Sequence, residues 1–160
     1  MDTPEVNQAL LTKIQHLESW VQYWRSLATH QIIHGHRLMP DIVAFHCKFG
    51  LAYDGPPRPL PKELGAFRYK FMEEELHEYA TAINESDLAK QLDALVDLVY
   101  VALGTAHLHG FNFDEAWRRV HLANMSKVRV ERAEDSKRGS TFDVVKPLGW
   151  TPPDLSDLVA

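Results

Sequence analysis

Residues 92–103 form a run that would be apolar on nearly every side of a helix, yet the run contains Asp93 and Asp97. A helix that is hydrophobic all round is normally buried. A carboxylate buried there without a partner is costly or is forced to stay protonated. Asp93 lies one turn before Asp97, and residues four apart are neighbours on a helix. The run therefore predicts a core helix whose acids meet compensating groups from elsewhere.

A second acidic segment, residues 73–78, lies about one helix length upstream. Residues three or four apart share a helix face, so its glutamates can point the same way. Two helices can therefore bring these carboxylates to one point: Glu74, Glu75, Glu78, Asp93 and Asp97. Like charges so close repel strongly, and a hard divalent cation that takes oxygen ligands is the simplest compensation. A solvated acidic face is the alternative reading of the glutamate run.

The first forty residues predict a long amphipathic helix. Thr3-Pro4-Glu5 is typical of a helix start, with a capping hydroxyl followed by proline at the first helical position. Apolar residues then recur at alternating spacings of four and three: Leu10, Ile14, Leu17, Val21, Trp24 and Ala28. Such a stripe packs on another helix, within the chain or in another subunit. Gly35 and Met39-Pro40 end this region.

Capping and turn signals divide the remainder into four further helices. Asp41 is predicted to cap a helix over residues 42–49, and a proline-rich loop at 53–61 separates it from a helix over 62–83. Ser86 or Asp87 is predicted to cap the next helix, which ends near Gly110. Asn112 or Asp114 is predicted to cap the last one. The chain therefore reads as an all-α bundle.

We expect one domain of 160 residues, with an N-terminal extension at 1–40, a catalytic helical bundle at 41–135 and an irregular tail at 136–160. A net charge of −5 argues against a nucleic-acid-binding surface. The single Cys47, beside Phe45 and Phe49, predicts a buried thiol and excludes an internal disulfide. The N-terminus lacks signal-peptide features, and the apolar run is too short to span a membrane. We expect a cytoplasmic protein.

A set of ordered motifs is more specific than any single residue. The set contains Glu74-Glu75-x-x-Glu78, Asp97-Leu-Val-Tyr-Val, Gly110, His121-x-Ala-Asn124-Met-Ser-Lys127, and Lys146-Pro-x-Gly-Trp150 with Pro152-Pro153-Asp154. From about residue 41 to 154 it resembles the MazG-like all-α nucleoside triphosphate pyrophosphohydrolases, in their phage and bacterial branch. That family's second motif is usually Glu-x-x-Asp. Here Ala94 stands three before Asp97, and Asp93, four before, is the substitute.

The resemblance implies hydrolysis between the α and β phosphates, which yields a nucleoside monophosphate and pyrophosphate. It implies Mg²⁺, with Mn²⁺ able to substitute, held by Glu75, Glu78 and Asp97, with Asp93 as a fourth ligand. Glu74 would accept the proton of the attacking water or hold a further metal. It also implies dGTP or dUTP as substrate and a homo-oligomer, a dimer or tetramer.

The resemblance also assigns residues to the nucleotide. Asn124 and Lys127 would lie near the phosphates and the metal, with Lys127 as a catalytic residue beside Glu74. Lys146 would add a further phosphate contact as the tail folds over. Phe45, His46 and Phe49 would border the base, and Tyr100 would lean on the nucleotide. Core packing is the alternative role for the three aromatic residues, and solvated surface groups are the alternative for the lysines and the amide.

The sequence is compatible with two other classes of protein. Glu74-x-x-His77 matches the Glu-x-x-His element of ferritin-like di-iron carboxylate proteins, but that fold needs the element twice and the chain has it once. A non-enzymatic helical assembly module would explain the N-terminal heptad stripe. It would leave the aspartates at 93 and 97 unexplained.

Overall fold

The structure of the chain is a computed structural model that describes residues 8, 10–19, 21–22, 25 and 38–160. The chain divides into two compact units, Met1–Arg37 and Leu38–Ala160. The described residues before 38 are helical, as the heptad stripe predicted. Leu10, Ile14, Leu17 and Val21 are exposed there. The predicted start at Thr3-Pro4, the apolar positions 24 and 28 and the stop at Gly35 lie outside the described residues.

Residues 38–160 contain four α-helices: α1 (Leu38–Lys48), α2 (Lys62–Asn84), α3 (Leu88–His109) and α4 (Phe113–Met125). Two short strands follow, β1 (Val128–Arg129) and β2 (Val144–Val145), which pair antiparallel. Single turns of 3₁₀ helix occupy Ala133–Asp135 and Ser156–Leu158. The helix α3 is central, because it packs most extensively on α2 and also on α1. The described part of the chain is therefore mostly helical, as predicted.

Capping residues set the ends of the helices where the sequence placed them. Asp87 is the N-cap of α3, and its Oδ1 accepts hydrogen bonds from the backbone N–H groups of Ala89 (3.0 Å) and Lys90 (3.1 Å). Gly110 ends α3 in the left-handed conformation, at φ 73°. Asn112 caps α4 by accepting from the N–H of Glu115 at 3.2 Å. The side chains of Asp87 and Asn112 therefore satisfy backbone N–H groups that have no partner within the first turn of the helix.

Two predicted boundaries differ from the structure. The helix α1 begins at Leu38, so Asp41 lies inside the first turn and does not cap it. Proline at position 40 is compatible with this because the first turn needs no N–H donors. The tail after residue 136 is not wholly irregular, since β2 pairs Val145 with Val128 of β1. Strands of two residues carry no periodicity that a sequence pattern could reveal.

The core lies around the second half of α3. Val101, Leu103, Ala106 and Leu108 are buried there, and α1 contributes Ile42, which is 1% exposed. The first half of α3 is different: Ala94 is buried, whereas the apolar side chains of its outer face are exposed, namely Leu92, Leu95, Val96 and Val99. The prediction that residues 92–103 are buried on every side is therefore wrong for this half in a single chain.

Asp97 is likewise exposed in the single chain, contrary to the prediction, and so is the thiol of Cys47. The outer face of α3 is open because α1 and α2 cover only part of its circumference. Asp97 lies on the side of α3 towards Glu75 and still reaches solvent. Among the described residues, no single helix is long and apolar enough to cross a membrane. The helices α3 and α4 pass that test only together, bent by 120° at their junction.

Candidate active site

A cluster of five carboxylates has Glu75 at its centre. Glu75 lies in the middle of α2 and is buried, with 7% of its surface exposed. Burial raises the pKa of its carboxyl, and so do the neighbouring negative charges, in decreasing order Glu78, Asp97, Glu74 and Asp93. Two of these lie on α2 and two on α3, so the packing of α2 on α3 brings together the acids that the sequence predicted to meet.

The cluster combines one buried acid with four exposed ones, since Glu74, Glu78, Asp93 and Asp97 all reach solvent. Within residues 38–160, none of the five forms an ion pair with a lysine, arginine or histidine. Among the described side chains, no three His, Cys, Asp or Glu form a group that could hold a metal ion as they stand. The donor set is all carboxylate, which is the chemistry that Mg²⁺ and Mn²⁺ take.

A cavity of about 190 Å³ adjoins the cluster between α1, α2 and α3. Its lining combines Glu75 and Asp97 with aromatic and basic side chains: Phe45, His46, Arg68, Phe71, Tyr100 and Val101. Pockets for whole drug-sized ligands measure about 300–1,000 Å³, so this one suits a single ring system of a ligand. Phe45, His46 and Tyr100, which the resemblance placed at the base, therefore line the cavity. Phe49 packs on Phe45, at 4.8 Å between ring centroids.

Arg68 is a cavity residue that the sequence analysis missed. It is 9% exposed, and burial lowers the pKa of its guanidinium, although arginine stays charged. Its Nη2 donates to the carbonyl oxygen of Val101 at 2.6 Å, and its Nε donates to Thr105 Oγ1 at 3.0 Å. The available signal was its spacing: Arg68 lies seven residues, or two turns, before Glu75, on the same face of α2.

Gly104 allows α1 and α2 to approach α3 closely beside this cavity. A Cβ at Gly104 would lie 2.9 Å from His46 Cε1 and 3.0 Å from Arg68 Nη2. Both distances are too short for carbon contacts, so a larger residue would displace one of these side chains. A glycine inside a helix is usually unfavourable by about 0.5–1 kcal/mol relative to alanine, and here it makes room for the two neighbouring helices.

Two of the predicted phosphate-side residues, Lys127 and Lys146, lie beside Trp150 of the tail. Lys146 Nζ is 4.3 Å and Lys127 Nζ is 5.9 Å from the centroid of the Trp150 ring. Trp150 Nε1 donates to the carbonyl oxygen of Ala123 at 2.9 Å, which fixes the tail against α4. Asn124 is exposed on α4. Across residues 38–160, no ion pair joins either lysine to the carboxylate cluster.

The phosphoribosyl-ATP pyrophosphohydrolase family model matches residues 43–124, just over half of the chain. The chain belongs to this family. The family is part of the MazG-like all-α nucleoside triphosphate pyrophosphohydrolase superfamily, so the resemblance stated from the motifs is confirmed. The matched segment contains all five carboxylates and every residue that lines the cavity. No curated protein matches the chain.

Membership identifies a pyrophosphohydrolase acting on nucleotides and disfavours the di-iron rival. The geometry points the same way. In this pyrophosphohydrolase His77 is exposed, and the charges that raise the pKa of Glu75 are all carboxylates. A di-iron site would need two Glu-x-x-His elements that point inward.

Proposed function

We propose that the chain hydrolyses a nucleoside or deoxynucleoside triphosphate between its α and β phosphates, in a reaction that depends on Mg²⁺ or Mn²⁺. The products are a nucleoside monophosphate and pyrophosphate, and dGTP and dUTP are the proposed substrates. The observation that carries the proposal is the buried Glu75, whose pKa is raised by burial and then by four further carboxylates on α2 and α3. Such repulsion is disfavoured unless cations offset it.

In this proposal Glu75, Glu78 and Asp97 hold the metal, with Asp93 as a fourth ligand. Bound Mg²⁺ would lower the pKa of a coordinated water molecule. It would also neutralise the negative charge that develops on the phosphoryl group. Glu74 is exposed at the edge of the cluster. It either accepts the proton of the attacking water or holds a further ion. The carboxylates of Glu78 and Asp97 are exposed and form no ion pair within residues 38–160, so no ion pair would have to break for them to bind a cation with Glu75.

The remaining groups would bind the substrate. The aromatic cavity takes the base, since bases stack readily on aromatic side chains. Lys127, Lys146 and Asn124 supply cations and an amide donor for the phosphates. Phosphoribosyl-ATP is the second candidate substrate, because the family that matches residues 43–124 is described by it.

We also propose that the enzyme is a homo-oligomer, a dimer or tetramer. The support is the exposed apolar side of α3, with Leu92 66% and Val96 54% exposed. The groove beside it has a volume of about 250 Å³ and is lined by Leu38, Asp41, Ile42, Leu95, Val96, Val99, Tyr100 and Leu103. Apolar surface of this kind typically marks an interaction site.

The test is pyrophosphate release from a panel of triphosphates and phosphoribosyl-ATP in Mg²⁺, with Asp97→Asn as the decisive variant. We expect Asp97→Asn to fold, as judged by circular dichroism, and to lose about a hundredfold or more in kcat/KM. Loss of even an outer-shell partner of a metal typically costs 10–100-fold. The control is Asp114→Asn, an exposed aspartate in the first turn of α4. No turnover of any nucleotide, or a wild-type rate for Asp97→Asn, would overturn the proposal.

A further inference from the structure

Two polar side chains of the cavity have hydrogen-bonding capacity that the described part of the protein does not use. Arg68 uses one N–H of Nη2 and the N–H of Nε, and nothing in residues 38–160 accepts from Nη1. No buried polar side-chain atom among the described residues lacks a partner. Nη1 therefore reaches accessible space, and Arg68 lines the cavity. Since no carboxylate in residues 38–160 lies within ion-pair distance of this guanidinium, its Nη1 donors are free to meet an acceptor in the cavity.

The second side chain is His46, which is 3% exposed. Its Nδ1 lies 2.8 Å from the carbonyl oxygen of Ile42. A carbonyl can only accept, so Nδ1 carries the hydrogen and Nε2 of the neutral ring is an acceptor. Nε2 has no described partner, so by the same reasoning it reaches accessible space, and His46 lines the cavity. His46 thus offers an acceptor where Arg68 offers donors.

The donor and the acceptor are close together. Arg68 Nη2 and His46 Nε2 lie 3.0 Å and 3.3 Å from one point, the position of a Cβ on Gly104. The separation between these two nitrogen atoms therefore cannot exceed the sum of those distances. Two side chains within this limit can both reach neighbouring polar atoms on the edge of one flat ring, the pattern by which flipped bases are read in pockets.

The position of the pair favours a base over a phosphate as its ligand. Arg68 precedes Glu75 by seven residues on one helix, a rise of about 10 Å. Phosphates bridged by metal to the carboxylates would lie two turns away. The aromatic residues that line the cavity are Phe45, Phe71 and Tyr100. The rings of Phe45 and Tyr100 pack edge to face, with 5.4 Å between their centroids. Flat aromatic walls with polar atoms at one end are suited to a stacked ring.

We infer that Arg68 and His46 select bases whose edge carries a carbonyl next to a ring N–H. In guanine and hypoxanthine these are O6 and N1–H, and in uracil O4 and N3–H. Arg68 donates to the carbonyl oxygen and His46 accepts from the ring N–H. Adenine and cytosine present the reverse, an amino donor beside an unprotonated nitrogen, which would leave the guanidinium facing a donor. This inference rests on the proposed function and names its substrate class as keto bases.

The decisive experiment compares kcat/KM for dGTP with dATP, and for dUTP with dCTP, in the wild type and in Arg68→Lys. We expect the wild type to prefer the keto base in each pair, and Arg68→Lys to reduce that preference about tenfold or more, because a lysine loses the planar fork. The matched control is Arg132→Lys, an exposed arginine of the tail. Thr105→Val removes the acceptor of Nε but keeps the guanidinium, so it should keep most of the preference.

A binding measurement decides the matter even if Arg68→Lys does not fold. Calorimetry of the wild type with dGMP, dIMP and dAMP in Mg²⁺ should give similar affinities for the two keto purines and weaker binding of dAMP. Equal affinity for dIMP and dAMP, or an unchanged preference in a folded Arg68→Lys, would overturn the inference. Either result is compatible with pyrophosphate release by the wild type. Absence of turnover from every triphosphate would instead refute the proposed function.

Discussion

At the scale of single residues, the acid that carries the burial cost is Glu75. Asp97 lies in the more apolar stretch of sequence and on the side of α3 that faces Glu75, but its own side chain remains exposed. Glu75 lies between α2 and α3, where burial and four negative neighbours raise the pKa of its carboxyl above its ordinary value. A hydrophobic sequence environment therefore did not locate the buried charge. Glu75 is the buried acid because its side chain leaves α2 on the face that packs against α3.

Glu75→Gln should increase stability while it abolishes activity. Between the ordinary pKa of a glutamate and the raised folded value, the native state holds more protons than the unfolded state, so stability falls as pH rises through this window. Glutamine does not ionise, so the variant does not lose stability in this window and should have a higher melting temperature than the wild type at pH 7. The difference between the two melting temperatures should vanish below the ordinary pKa of a glutamate. Thermal unfolding against pH measures this, with Glu63→Gln in the exposed first turn of α2 as control.

The same variant tests the metal. A ligand that binds only the native state stabilises it by about 2.7 kcal/mol at a hundredfold excess over its Kd. Mg²⁺ should therefore raise the melting temperature of the wild type but not that of Glu75→Gln. An equal Mg²⁺ response in both proteins would show that the ion binds elsewhere.

At the scale of elements, α3 has two halves with different roles. Its first half contributes Asp93 and Asp97 to the carboxylate cluster and exposes an apolar face. Its second half is buried and packs against α1 and α2 at Gly104. There His46 of α1 and Arg68 of α2 both lie within contact distance of the position that a Cβ on Gly104 would occupy. His107 follows in this half, and burial lowers the pKa of its imidazole, with a smaller contribution from His46. The close approach of three helices therefore assembles the cavity.

Gly104→Ala should destabilise the fold and weaken base discrimination, because its Cβ would collide with His46 Cε1 and Arg68 Nη2. Overpacking of a well-packed site typically costs about 1–3 kcal/mol. Gly65→Ala in α2 is the matched control, since its Cβ would meet nothing closer than Leu60 Cβ at 3.9 Å. That control should be stabilising by up to about 1 kcal/mol. Chemical denaturation of both variants decides the point, and equal effects would contradict the steric argument.

At the scale of the whole molecule, the unit of residues 38–160 leaves large apolar side chains uncovered. Leu88 is 78% and Leu92 66% exposed on α3. They continue the face of Val96 and Val99, which borders the apolar groove beside α1. This face lies on the helix that contributes Asp93 and Asp97, so a partner seated on it would adjoin the proposed metal site.

The paired substitution Val96→Gln and Val99→Gln should weaken the proposed oligomer without unfolding the chain, because both side chains are exposed in the single subunit. Light scattering after size exclusion should give a smaller mass than for the wild type. Leu148→Gln, at a fully exposed position of the tail, is the control and should leave the mass unchanged. A monomeric wild type would refute the oligomer.

Local signals in the sequence were sufficient for the helices and for the acidic cluster. Asp87, Gly110 and Asn112 mark helix ends through hydrogen bonds and backbone angles that involve near neighbours in the chain. The spacings of 74, 75 and 78 and of 93 and 97 place acids on single faces, because helical geometry alone decides which residues share a face. The motif order identified the superfamily, which the match over residues 43–124 confirmed.

The tertiary structure decided which acid is buried, which side chains line the cavity and which apolar face stays open. Arg68 and His46 meet because two different helices approach one glycine on a third. The pairing of β1 with β2 likewise joins segments that lie fifteen or more residues apart along the chain. The physical reason is that periodicity tells which residues of a helix point together, whereas the packing of helices determines what they point at.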